Sequence, residues 1–222
     1  MWSWGSGPLG QLGLGPDRLE VATPTLLEDL SGFQVGCVGV SETNVIAVTG
    51  DGQVFVWGSN SNGALGTGWS ESFSAFPEVL LPFPGAVVSA CCGKDYFIAL
   101  TPEHIYGWGD PRRDGMLGST EPQVISSLEA LGIASVMSGG LFCLALGYNG
   151  EVYSWGNGKA FQTGHPRPAT ITSPTLVKSL STLESIQLAC SSNLGMALHM
   201  EPPPQTPAKR ISQALETMET TV

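Results

Sequence analysis

Apolar positions along this chain fall in short runs separated by glycine-, proline- and asparagine-bearing turns, a pattern that predicts strands. VIAVTGDGQVFVWG, YFIALTPEHIYGWG and FCLALGYNGEVYSWG each read as two β-rich runs joined by a turn. Asp51-Gly52 and Asn149-Gly150 are dipeptides that supply positive φ to tight hairpins. Upstream of these pairs lie proline-led stretches, TPTLLEDL, FPEVLLPF, EPQVISSL and SPTLVKSL. A third β-like run follows each stretch and ends in segments such as SACCGKD, SVMSGGL and LACSSNL. Each unit of about 50 residues therefore holds roughly four short strands, the content of one propeller blade.

The units repeat. Trp-Gly recurs at Trp4-Gly5, Trp57-Gly58, Trp108-Gly109 and Trp155-Gly156, at spacings of 53, 51 and 47 residues. A glycine-punctuated loop follows each pair. Gly10, Gly63 and Gly115 occupy one position of that loop, which is Phe161 in the fourth unit, and Gly13, Gly66, Gly118 and Gly164 occupy a second. The recurrent tryptophans read as blade core.

These residues resemble the regulator of chromosome condensation repeat. WGSGPLGQLGLG and WGSNSNGALGTG are similar to that family's glycine-rich loop, and ACCGKDYFIAL is similar to its Cys-Gly segment. The resemblance covers residues 1–200, with departures. The His-Ser/Thr pair of the family is Asp95-Tyr96 in one unit and Leu141-Phe142 in the next, and the last unit lacks its Gln-Leu and Cys-Gly. The resemblance implies an all-β propeller of about four four-stranded blades over 1–200, where the family usually closes seven. GMALHM at 195–200 lacks a following Trp-Gly strand, and MWSWG lacks a preceding one. Joining them would close a small ring, but at about 90° per blade instead of about 51°. Strand twist resists that change, so a partial arc is the expectation and a small closed ring the alternative.

Charge narrows the partners. Nine Lys+Arg against 19 Asp+Glu give a net charge of −10, and residues 1–108 alone carry two bases and ten acids. Such a chain repels phosphate backbones, so no nucleic acid is expected; the acidic first half reads as a solubilising surface or as an attraction for a basic partner. No apolar run reaches the ~18 residues of a membrane span, and MWSWGSG has no signal-peptide layout. The expected location is the cytoplasm, with the nucleus as an alternative.

Catalytic patterns find no match. His104, His165 and His199 fall in different repeats and outside metal-binding spacings, so neither cofactor nor metal is expected. Gly5-Ser6-Gly7-Pro8-Leu9-Gly10 matches a dinucleotide loop formally, without the flanking βαβ unit, and Gly156-Asn157-Gly158-Lys159 lacks the following Ser or Thr of a phosphate loop. Cys37, Cys91, Cys92, Cys143 and Cys190 follow no C-x-x-C spacing and read as small apolar fillers of inner strands.

Surfaces for a protein partner remain. Arg112 and Arg113 lie in the longest of the repeated loops, where guanidinium forks suit carboxylate contacts, though internal pairing in a solvated turn explains them as well. Trp69, Phe73 and Phe76 stand in a connection where polar residues are usual, as a binding patch or as packing beneath a neighbouring blade. Residues 201–222 form a proline-rich linker and a short amphipathic tail, ending in Thr220-Thr221-Val222, whose Thr220 and Val222 fit a PDZ-type carboxyl-terminal ligand. The reading is a non-enzymatic protein-interaction module whose open blade edges allow self-association. Guanine-nucleotide exchange on a small GTPase, implied by the family resemblance, is the alternative.

Overall fold

Every Trp-Gly run becomes a strand, and in three of the four the ladder slips at the glycine. The computed structural model describes residues 1–199 except 69, 70, 81, 82, 84, 110–118 and 184. Its strands form five antiparallel sheets in chain order. The first pairs β1 (Trp2–Ser6) with β2 (Glu20–Leu26). The second is β3 (Val35–Val40), β4 (Asn44–Thr49), β5 (Val54–Ser59) and β6 (Phe73–Val79). The third is β7 (Ser89–Gly93), β8 (Tyr96–Leu100), β9 (Ile105–Gly109) and β10 (Gln123–Val124), and the fourth is β11 (Ile133–Gly139), β12 (Phe142–Gly147), β13 (Val152–Gly156) and β14 (Ile171–Leu176). The last pairs β15 (Ser185–Cys190) with β16 (Gly195–His199).

Three whole blades thus stand between two halves. β1 and β2 are the outer pair of a blade and β15 and β16 the inner pair of another. Among the described residues β1 pairs only with β2 and β16 only with β15, so the arc is open and the closed ring is not formed.

The ladder explains the Trp-Gly dipeptide. Register slips between Ser3 and Gly5, between Val56 and Gly58, and between Ser154 and Gly156, each opposite a proline-bearing outer strand. Proline belongs there because an edge strand can spare its N–H. At the slip Gly58 takes φ +104°, and a Cβ on it would lie 2.3 Å from the Thr43 carbonyl oxygen. Only glycine fits.

The core is a set of slabs between neighbouring sheets. One joins Ile46, Val48 and Val56 of the second sheet to Phe97, Ala99 and Trp108 of the third. Another joins Ile98 and Ile105 of the third to Val136, Ala145 and Trp155 of the fourth. Within the third sheet Phe97 stacks on Trp108, with centroids 5.3 Å apart and planes 11° from parallel. Tyr96 crosses the gap to the fourth sheet, where its hydroxyl donates to the Phe142 carbonyl at 2.9 Å and bonds Ser138 Oγ.

The described tryptophans divide into two classes. Trp57, Trp108 and Trp155 are at most 1% exposed, as core residues should be, whereas Trp2 and Trp4 are each 60% exposed. Trp4 departs from the sequence expectation because, among the described residues, the first sheet has no inner strands to lie beside it.

Candidate protein-binding surface

Strand alternation sends the connections to two opposite faces. One face carries the β1–β2, β3–β4, β5–β6 and equivalent loops, tied by Gln11 Nε2 donating to the Glu42 carbonyl at 2.9 Å and by Lys94 N donating to the Gly140 carbonyl at 2.7 Å. The second carries the β4–β5, β8–β9 and β12–β13 turns together with the links between blades. Gly50 N donates there to the Gln34 carbonyl at 2.7 Å, and Tyr148 N to the Gly132 carbonyl at 2.8 Å.

Charge separates the two faces. Among the described residues the second face presents Glu28, Asp29, Asp51, Glu103, Glu129 and Glu151 against Lys178, His104 and His199. His104 is engaged already, its Nδ1 lying 2.8 Å from Glu129 Oε1. Asp51 is fixed in its turn by the Thr49 hydroxyl and by Gln53 Nε2 at 2.9 Å, and these donors hold its carboxyl below the usual range. The first face mixes signs, with Asp17, Glu20, Glu42, Glu71 and the buried Asp95 beside Arg18, Lys94, Lys159 and Arg167, and Lys94 pairs with Glu42 at 3.6 Å. Like carboxylates on hydrogen-bonded turns raise a negative potential that draws a basic surface.

Of the residues singled out by sequence, Phe73 is described: it opens β6, half-buried and opposite Ser59. Phe76, three positions on, is 46% exposed and touches Gly15 of the first loop, consistent with packing against a neighbouring blade. Trp69, Arg112, Arg113, Thr220 and Val222 lie outside the described residues.

Sequence reasoning missed a Ser–His contact. Ser154 Oγ lies 3.0 Å from His165 Nε2, but the hydroxyl donates its proton to the Thr163 carbonyl at 2.7 Å. The imidazole must therefore donate at Nε2, and it has no base role toward Ser154. Burial lowers the His165 pKa, keeping the ring neutral. No motif signals the pair, since Ser154 sits in an ordinary strand and His165 in the loop after it. The thiols are equally quiet. Burial raises Cys92 to about 12 and Cys190 to about 11, and pushes Cys91 and Cys143 well up, so they act as packing groups, as expected from sequence.

The "Regulator of chromosome condensation (RCC1) repeat" model matches residues 1–48, 51–100 and 149–198. The chain belongs to the RCC1 repeat family. The intervening 101–148 supplies β9 to β12 in the same antiparallel order as the matched repeats. These RCC1 repeats are 31% identical over 211 residues to human E3 ubiquitin-protein ligase HERC2, which covers 89% of this chain but 4% of HERC2. Human WBSCR16 superposes with a TM-score of 0.78 at 26% identity, over 90% of this chain and 53% of that one. Prp20p of Saccharomyces cerevisiae, described with its binding to Gsp1p and histones, shares the fold at a TM-score of 0.73 and 20% identity, over 97% of this chain and 55% of Prp20p. The chain thus spans about half of these solved propellers and a small part of HERC2.

Proposed function

We propose that these RCC1 repeats form a non-enzymatic protein-interaction module that holds a basic partner on the acidic face. The observation that carries the reading is the asymmetry of charge between the two faces, with six carboxylates on one against a single lysine and two histidines, one of them paired with Glu129. Turns already closed by hydrogen bonds support it, because ordering them costs little on binding. The test compares wild type with Asp51→Lys/Glu103→Lys and with Glu71→Lys on the mixed face. Proteins cross-linked to the wild type should be lost at least tenfold with the double reversal and kept with Glu71→Lys, and their capture should weaken steeply with salt. Capture indifferent to the double reversal would sink the reading.

Exchange of guanine nucleotide on a small GTPase is the second reading. The fold shared with Prp20p, described as binding Gsp1p, favours it. Such exchange needs no proton-transfer group, only a surface that prefers the nucleotide-free GTPase. Release of fluorescent GDP, followed across a panel of small GTPases at catalytic amounts of this chain, separates the two readings. Acceleration would replace the non-enzymatic one.

A further inference from the structure

The first and second repeat loops each make a seat for the tryptophan of the next blade. Trp57 Nε1 donates to the Gln11 carbonyl at 2.8 Å, and Trp108 Nε1 to the Leu65 carbonyl at 3.3 Å. The loop glycine lies flat against the indole. A Cβ on Gly13 would come within 3.0 Å of Trp57 Nε1, and one on Gly66 within 2.9 Å of Trp108 Cδ1. Leu27 and Leu30 complete the first seat, together with Val45 and Ala47 of the receiving sheet.

The fourth blade builds the same seat and leaves it open. Gly164 takes φ +74°, close to the +70° of Gly13 and +77° of Gly66, but the atom nearest its Cβ position is Val177 Cγ1 at 3.1 Å. Val177 and Leu180 stand where Leu27 and Leu30 stand in the first seat, and with Gly164, Gly195 and Ala197 they line a groove. Alanines 47, 99 and 145 of the middle strands are fully buried, yet Ala197 of β16 is exposed. Along the same edge Met196 and Leu198 are 63% and 54% exposed.

The opposite end of the molecule carries what this groove lacks. Trp2 and Trp4 project from β1, and beside them Val38 and Val40 line a second apolar groove with Trp57. One end is the inner half of a blade and the other the outer half. We propose that β1 of one copy adds to β16 of a second copy, seating Trp4 on the Gly164 loop and completing a four-stranded blade between two chains. The register is set by the complete sheets. Val45, Phe97 and Cys143 stand opposite Trp57, Trp108 and Trp155, and aligning Ala197 with Ala47, Ala99 and Ala145 puts Gly195 opposite Trp4 and Met196 opposite Ser3. The chain's own β1 is not the occupant, because the open arc keeps its two end sheets unpaired and four blades would have to turn about 90° each. Strand addition satisfies two exposed edges at once, and the two-ended contact closes into a ring or extends with copy number. It does not depend on what docks on the acidic face.

Phe161 sets the strength of the junction. It takes φ +61° at the position of Gly10 and Gly63, and a Cβ on Gly10 would meet the Ser74 carbonyl oxygen of the next blade at 2.5 Å. The arriving β2 must therefore stand off from Phe161, so Phe161→Gly is expected to tighten association. General stickiness predicts the reverse, because Phe161 is a 56% exposed apolar side chain.

Light scattering on the full chain over a range of concentrations reads the mass directly. At tens of micromolar the expected mass is at least twice 23.2 kDa. Trp4→Ala removes the donor indole and Ala197→Arg fills the acceptor groove, and each alone should be monomeric. Mixed, they should form a dimer with a single junction, since each keeps the half the other lacks; this also shows that neither variant is simply misfolded. A Ser3→Cys copy mixed with a Met196→Cys copy should give a disulfide linking those two positions between chains, and Phe161→Gly should tighten association severalfold. A monomer at every concentration, association indifferent to Trp4→Ala, or weaker association with Phe161→Gly would overturn the proposal.

Discussion

The seat under Trp108 and the seat at Gly164 are built from the same loop, yet one is a packed interior and the other a groove. Gly66 and Gly164 share the same left-handed backbone, and both loops lead into a proline-bearing outer strand. What differs is the neighbour. At the first seat a complete sheet brings an indole with no exposed surface, and at the second the next sheet has, among the described residues, only its inner pair. A blade is therefore a poor unit of stability in this fold. The unit is the slab between two blades, because the large side chains are buried between sheets and not within one.

The largest expected effect follows from that difference. Trp108→Ala should remove an indole that contacts both the Gly66 loop and Phe97, at a cost of about 3–5 kcal/mol in urea unfolding. Trp4→Ala, measured below the association range, should cost within about 0.5 kcal/mol, because its ring is mostly solvated. Equal losses at the two positions would break the contrast between filled and open seats.

The loop glycines give a second, smaller contrast. Gly66→Ala must place a Cβ 2.9 Å from Trp108 Cδ1 and 3.0 Å from the Thr120 carbonyl oxygen, at φ +77°. The clash and the left-handed strain together should cost about 2–4 kcal/mol. Gly164→Ala carries the same backbone strain but meets only Val177, a side chain able to shift, and should cost about 1–2 kcal/mol. Thermal unfolding of the two variants side by side, below the association range, tests this. If Gly164→Ala proved the more damaging there, the seat at Gly164 would not be open in the single chain.

The repeat was legible in the sequence because its causes are local. Trp-Gly marks the bulge, Asp51-Gly52 and Asn149-Gly150 mark hairpins, and the loop glycines mark positive φ, so strand number and blade content could be read directly. The openness of the arc was legible only as a preference, since it depends on the accumulated turn between blades, which no single residue encodes. The acidic face was hidden for another reason. Its carboxylates are scattered from Glu28 to Glu151 and come together only when alternate turns fall on one side. The open seat was half visible: Phe161 in place of glycine marked the fourth loop as different, but the exposure of Trp4 required the fold. The surfaces sought at Arg112, Arg113 and Trp69 rested on composition alone, and those residues lie outside the described ones.

The smallest effect belongs to His165, beside the open seat. Its pKa is lowered in the folded chain by burial alone, so the unfolded chain binds the proton more readily. Stability must then fall as pH drops through the unfolded value of 6.5 and level off below the lowered folded value. The ring also donates to Ser154 Oγ, whose own proton goes to the Thr163 carbonyl, so a neutral donor at that position can keep the contact. His165→Gln should hold the loop while removing the titration, and its Tm should fall about 1 °C less than that of wild type between pH 7.5 and pH 5. Because the ring is only partly buried at an unfilled seat, the same comparison made on the associated form should show a larger difference, as the second copy would desolvate it further. A pH slope identical in the two proteins in both states would show that His165 keeps its ordinary environment and that nothing covers the seat.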